Sequence, residues 1–460
     1  MKIMKIAFFE KNKKTVLIMI ILLSVMVIST ALLLIFGHGL PYGHNVPDCN
    51  DDLLISYSRN LNIDNLFLGD NEVASVATRY SALYKNGNYR TMYVCSIPLR
   101  YSTHEKKYSI LNRDIVQIDD NTYSTQNSDY TINYFRNNIW MGDDGEWVQL
   151  NLTESDSFFI VNHYGNLYQD DNMGMCYSFD ETRKMVVTPA YNGITITCEI
   201  DPGKDMELPI EYSGVKVCNK SAGYIVLKDR QVNSDLKGNR FVITRPVVSD
   251  ELGKVYVDSP IKIHEGSRES KLIYKIPAGA LGKITLTFSI NYYCENMFFD
   301  CAAYQRNSKV NYIFDSYVAF DSVTPDSGTY NYLKFNIRSF TPKKSKLLDS
   351  VTLNFFVLYC QDETDVEIYS VRRDWCSWQL TWKNKPKFNE KIGEFKVSGS
   401  GWYSIDLTQY AKRLIDDNYY NLIDNTIMLK TKDESKGYVI FTTTDNSVMP
   451  PFFEVHYRTR

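Results

Sequence analysis

Residues 351–357 read VTLNFFV, and this stretch decides the fold class. Val351, Leu353, Phe355 and Val357 recur at every second position, the period at which an extended chain returns its side chains to one face. The segment is a strand with a core side. Working outward, Leu333, Phe335 and Ile337 alternate with Lys334, Asn336 and Arg338, and Phe453, Val455 and Tyr457 alternate with Glu454, His456 and Arg458. Further upstream, GITITCEI (193–200), GYIVLKD (223–229), RFVITRPVV (240–248), KVYVDSPIKIH (254–264) and KITLTFSINYY (283–293) are apolar or alternating over strand lengths. Between Thr78 and Tyr101, two aromatic-rich runs flank Lys85-Asn86-Gly87-Asn88, where Asn-Gly suits the positive-φ positions of a type I′ hairpin turn. One helical stripe stands apart: Leu407, Tyr410, Ala411, Leu414 and Ile415 follow the spacing of a single buried face. Strands on both sides of one short helix predict an all-β body ending in a jelly-roll-like β-sandwich with a helical crossover.

The N-terminal segment has another character. From Thr15 to Phe36 the chain carries no charge over 22 residues, about 33 Å of helix against a hydrocarbon core of about 30 Å. Lys2, Lys5, Lys11, Lys13 and Lys14 precede it and no Lys or Arg follows until Arg59, so the positive-inside bias predicts a single-pass anchor with a cytoplasmic N-terminus and an extracellular body. The rival is a cleaved signal peptide with Ser29-Thr30-Ala31 at the cleavage site, but the apolar run continues past the usual h-region.

The expected organisation is a cytoplasmic tail at 1–14, an anchor at 15–36, a stalk at 37–55, β-rich domains at 56–200 and 201–307, and a sandwich at 308–460. A net charge of −3 provides no global field for nucleic acid, which is excluded as a partner. Nine cysteines all follow the apolar segment, without CxxC or zinc-type spacing, so neither a metal site nor a disulfide scaffold is expected. Cys294 and Cys301 are close enough in sequence to pair, with free buried thiols as the alternative. Asp-rich loops at 142–146 (GDDGE) and 169–174 (QDDNMG) admit a structural calcium ion, though neither has EF-hand spacing. No other cofactor is implied.

The C-terminal third carries denser motifs. Trp375, Thr381-Trp382 and Pro386 lie within DWCSWQLTWKNKP (374–386), and Gly401-Trp402-Tyr403 leads through Asp406 and Thr408 into the helix. Tyr438–Phe441 and the run Pro450-Pro451-Phe452-Phe453 follow. This pattern resembles the DNRLRE domain family, β-sandwich modules of secreted and surface proteins, some of them classed with carbohydrate-binding modules. The family's Ser-Arg-Glu-like stretch is replaced here by Thr443-Thr444-Asp445-Asn446, so no ligand role is carried over to it. Residues 75–300 more faintly resemble the β-rich region preceding this module in wall-associated RHS-repeat proteins. The resemblance implies a presenting head without the repeat shell.

Four of the six Trp fall between 375 and 402. Flat aromatic faces match the apolar faces of sugar rings. Trp375, Trp382 and Trp402 occupy motif positions beside strand cores and are assigned to packing, as are Thr381, Pro386 and Thr408, while Asp406 is assigned to helix capping. Trp378, flanked by Ser377 and Gln379, is the candidate for an exposed face, with Gln379, Lys383 and Asn384 as its polar company and Tyr403, Tyr419 and Tyr420 as further candidates. No GxSxG, HExxH, P-loop or dinucleotide fingerprint is present. The sequence therefore favours a non-catalytic surface protein that binds glycan or mediates adhesion, its partners cell-wall or environmental polysaccharide or other surface proteins. The alternatives are a structural presenter and an accessory polysaccharide-degrading enzyme.

Overall fold

A computed structural model describes residues 56–59, 63–67 and 78–460, the last with gaps of one to eight residues in its loops. The expected membrane span at 15–36 lies outside the described residues, as do the tail and stalk. Among the described residues no helix is long and apolar enough to cross a membrane.

The strand Leu348–Cys360 is the spine of the C-terminal part. It pairs antiparallel with Gly401–Asp406 on one side and with Phe452–Arg458 and Tyr438–Thr442 on the other. Val351, Leu353, Phe355 and Val357 enter one core with Phe335, Phe395, Ile427 and Phe453. The sequence gives this strand one core face, but the structure buries both. Phe356 and Leu358, on the reverse side, pack with Trp402, Tyr317 and Phe452. Alternation gives way to a continuous apolar run where a sheet is covered on both faces, which explains Phe355-Phe356-Val357-Leu358.

Facing this sheet is a second one of five strands in the order Phe299–Tyr304, Thr329–Phe335, Asn425–Thr431, Thr364–Val371 and Lys391–Val397. The helix Thr408–Asp416 closes the same core with Tyr410, Ala411, Leu414 and Ile415. Asp406 Oδ1 accepts the Thr408 N–H at 2.8 Å, satisfying one donor at the helix start.

Residues far upstream complete the first sheet. Ser56–Arg59 pairs with Gly401–Asp406, and Tyr89–Cys95 pairs with Phe452–Arg458. The hairpin partner Ser81–Asn86 joins Tyr89–Cys95 with Asn86 opposite Tyr89, so Gly87 and Asn88 form the two-residue turn. Gly87 has φ +57° and is the only residue there with positive φ, the signature of a type II′ turn rather than the expected type I′. Asn86 stays in the ladder instead of turning.

The middle region is a second sandwich, its sheets of eight and ten strands among the described residues closing on a core that includes Tyr134, Tyr177, Ile196, Leu227, Tyr274 and Phe288. Strands from before and after residue 200 pair within both sheets: Trp147–Asn151 with Met206–Ser213, and Gly193–Ile200 with Ile284–Tyr292. Two expected continuous strands are interrupted. RFVITRPVV divides into Asn239–Thr244 and Val247–Ser249, and KVYVDSPIKIH into Val255–Tyr256 and Ile261–Glu265. Pro246 and Pro260 fall in the interruptions, where no ladder N–H is required.

Asp52–Arg460 is one compact unit, and its two sandwiches meet through buried polar contacts. Arg245 is ion-paired with Asp315, both side chains buried, and its guanidinium lies 5.4 Å and 5.8 Å from the ring centroids of Tyr312 and Tyr317. Tyr317 donates its hydroxyl to the Arg245 carbonyl at 2.6 Å. The stretch Thr443–Asn446 lies in this joint. The Thr444 N–H donates to Asp300 Oδ1 at 2.8 Å, Asn446 Nδ2 donates to the Ser316 carbonyl at 3.1 Å, and Thr443 Oγ1 donates to the Asp315 carbonyl. From the middle sandwich, Asn291 Nδ2 donates to the Asp445 carbonyl at 3.4 Å and the Tyr191 N–H to the Ser447 carbonyl at 3.0 Å, so the stretch is bonded from both sides.

Candidate functional site

The loop carrying the tryptophan motif folds across the outer face of the five-stranded sheet. Tyr330, Tyr332 and Lys334 on one strand and Glu367 and Tyr369 on another point to that face, since alternate residues of a strand share a side. Trp375 is buried and donates its indole N–H to Thr426 Oγ1 at 3.0 Å, with Tyr332 at 5.9 Å and Phe299 at 6.2 Å edge-on to its ring. Pro386 offers its carbonyl to the Tyr332 hydroxyl at 2.8 Å. Asn384 holds the loop's own shape: its Oδ1 accepts the Thr381 N–H at 2.7 Å and its Nδ2 donates to the Gln379 carbonyl at 2.6 Å. These contacts fasten the loop to the sheet and leave a row of aromatics half-buried at its margin.

In that row Trp382 and Tyr330 have ring centroids 4.9 Å apart, Tyr330 and Phe388 5.8 Å, and Phe388 and Tyr369 4.5 Å. Gly328 lets the indole lie close, because a Cβ there would stand 2.9 Å from Trp382 Cη2. Lys385 Nζ sits 3.6 Å from the Trp382 ring centroid and donates to the Trp382 carbonyl at 3.1 Å. Burial lowers the pKa of this ammonium from its ordinary range. Beyond Tyr369 the row ends in charge. The Tyr369 hydroxyl donates to Glu367 Oε2 at 3.0 Å, and Lys391 and Lys430 reach the same carboxylate at 3.1 Å and 3.3 Å. Burial pushes the Glu367 pKa up, but the hydrogen bonds from Lys391 and Tyr369 and the Lys430 charge outweigh it and leave the carboxyl below its ordinary range. Four half-buried rings in successive contact, tilted 49°, 80° and 50° to one another, beside fixed donors and acceptors can offer apolar contact to a sugar chain and bond its hydroxyls.

The residues named from sequence are distributed unevenly around this row. Gln379, Lys383 and Asn384 are exposed on the loop, Thr381 and Trp382 are half-buried, and Trp378 belongs to a short 3₁₀ turn, Ser377–Gln379, its side chain outside what is described. Tyr403 is 5% exposed, with its hydroxyl donating to the Gly399 carbonyl at 3.1 Å, and faces the inner core rather than solvent. Its place in a strand between two sheets accounts for this. Trp402 and Thr408 are buried as well. Tyr419 and Tyr420 lie outside the described residues. Tyr330, Tyr369, Phe388 and Lys385 escaped sequence reasoning, because they meet only through strand pairing and the path of the loop.

Among the described residues no group of three or more His, Cys, Asp and Glu side chains is arranged to hold a metal ion. In the GDDGE loop, Asp143 Oδ1 accepts the N–H groups of Gly145 and Glu146 at 3.0 Å and 2.9 Å, and Glu146 is ion-paired with Arg240. The Asp143 and Glu146 carboxylates are thus engaged within the protein, and Asp144 lies outside the described residues. Cys301 is a free, buried thiol, and Cys294 lies outside the described residues.

No curated protein matches the chain. Among solved structures, the N-terminal domain of the Streptococcus gordonii adhesin Sgo0707 is similar at 8% identity and a TM-score of 0.15, over 83% of this chain and 92% of that one. An exo-beta-1,3-galactanase from Phanerochaete chrysosporium aligns at 5% identity and a TM-score of 0.12, over 79% of this chain and 100% of that one. Both likenesses are too slight to bear on function. The informative similarity is at the C-terminus, where residues 303–456 match carbohydrate-binding module family 96.

Proposed function

We propose that the chain is a non-catalytic, membrane-anchored surface protein that binds polysaccharide through its C-terminal sandwich. The observation that carries this reading is the row Trp382–Tyr330–Phe388–Tyr369, half-buried on a region that matches a carbohydrate-binding module and ending at the Glu367–Lys391–Lys430 cluster. A shallow aromatic site of this kind binds on the order of micromolar to millimolar. Many copies anchored on one surface by residues 15–36 add avidity to it.

The test is retention of the full chain on a panel of insoluble cell-wall, plant and algal polysaccharides. Retention on at least one, weakened about tenfold or more by Trp382→Ala and by Lys385→Ala at unchanged fold, is the expected result. Absence of retention across the panel returns the chain to a structural presenter. Retention untouched by both substitutions keeps glycan binding but removes this row as its site.

A further inference from the structure

A concavity that shares no lining residue with the tryptophan loop lies where the middle sandwich meets the C-terminal one. Its volume is about 610 Å³, within the range of about 300–1,000 Å³ usual for ligand sites. One wall comes from Lys254–Tyr256 and Ser259–Pro260 with Lys275–Pro277, the other from Tyr359, Gln361 and Tyr438.

Three tyrosines supply its apolar faces, and each is fixed. The Tyr256 hydroxyl is tied to Asp250 Oδ2 at 3.1 Å and the Gly279 carbonyl at 3.0 Å, which sets the ring plane. Tyr359 and Tyr438 meet edge to face at 6.1 Å, and the Gln361 N–H donates to the Tyr438 carbonyl at 2.9 Å, fastening the two strand ends together. A register shift between Val357 and Tyr359 interrupts the ladder immediately before this ring. Such a bulge re-aims a side chain and is common beside binding sites.

The polar groups in the same walls point to a ligand rather than to a packing fault. Ser259 Oγ is buried, borders the cleft and has no hydrogen-bond partner among the described residues. An unpaired buried hydroxyl is costly unless something completes it. Gln361 is exposed at the opposite wall, and Lys254 and Arg306 are exposed at the rim. Aromatic faces, an unfilled hydroxyl and rim donors together match a molecule with apolar C–H faces and many hydroxyls.

We propose that this cleft is a second saccharide site, built jointly by the two sandwiches, which takes a short stretch of glycan chain against Tyr359 and Tyr256 and engages its hydroxyls with Ser259 and Gln361. It rests on the glycan-binding reading for its ligand class, but not on the Trp382 row. Because one wall comes from residues 254–277, the isolated sandwich lacks half of it.

Hydrogen exchange on the full chain with cello-, chito- and xylo-hexaose at millimolar concentration tests the proposal. The expected result is protection of segments 254–261 and 357–361 by at least one probe. Tyr359→Ala should weaken that binding about tenfold or more, as should Gln361→Ala, an exposed substitution that spares the fold, whereas Trp382→Ala should leave it in place. No protection of these segments with any of the three overturns the cleft, as does protection unmoved by both cleft substitutions. Protection confined to residues 375–390 also overturns the cleft while upholding the Trp382 row. Protection confined to the cleft upholds it and removes the row.

Discussion

Trp375 shows what a tryptophan does when its motif position falls under a loop instead of on a surface. It is 8% exposed, its N–H is satisfied by Thr426, and Tyr332 and Phe299 meet it edge-on. Trp375→Ala should lower unfolding stability by about 3–5 kcal/mol, the range for deleting a large buried ring. Trp375→Phe keeps most of the packing, loses the indole hydrogen bond and should cost about 1 kcal/mol. Denaturant unfolding measures both, and a loss below about 1 kcal/mol for the alanine variant would place the ring outside the core. At this scale sequence reasoning is strong on residue chemistry and weak on company. It singled out the tryptophan loop, but Tyr330 and Tyr369, 39 positions apart in number, become neighbours of Phe388 only after the sheet has formed.

At the scale of elements, periodicity revealed the spine strand, several of its neighbours and an amphipathic helix, because a period of two or of 3.6 is written directly into the chain. It failed where two constraints compete. The reverse face of Leu348–Cys360 is apolar because a further layer covers it, and no local pattern announces that layer. The strand Phe299–Tyr304 is another case: it lies before the boundary drawn at 308, yet it pairs with Thr329–Phe335 and sends Ala302 and Tyr304 into the sandwich core. The same strand buries Asp300, whose pKa is raised, first by burial and against the hydrogen bonds from Thr444. A carboxyl with a folded pKa above its unfolded value contributes stability that is fully present below the unfolded pKa and is lost as pH rises through the folded one. Asp300→Asn retains an acceptor for Thr444 and removes the titration. The melting temperature of the variant relative to the unaltered chain should therefore climb from about pH 4 upward and then level off. Parallel pH curves for the two proteins would show that Asp300 is not the titrating group.

The whole molecule is joined by a charge pair that periodicity cannot disclose. Arg245 and Asp315 come from different sandwiches, and their side chains are 6% and 1% exposed. Removing one partner strands the other charge away from water, so Arg245→Ala should cost about 3–5 kcal/mol. Replacing both by apolar residues should cost clearly less than the sum of the single changes, since no lone ion is left behind. A thermodynamic cycle on unfolding free energies decides it. Simple additivity would mean that the pair is not coupled across the joint.

The pairing of Tyr89–Cys95 with Phe452–Arg458 has a consequence in time. It sets Thr91 opposite His456, 365 positions later in the chain. At a synthesis rate of about 5–20 residues per second, the early hairpin waits on the order of tens of seconds before its partner strand exists. Throughout that interval one edge presents unpaired N–H and C=O groups beside Met92 and Val94, a template for pairing with the wrong chain. Closing so long a loop also slows the productive route, as distant contacts do in β-proteins generally. The sheet therefore cannot be completed in the order in which it is made, and this edge has no native partner strand until residue 452 has arrived.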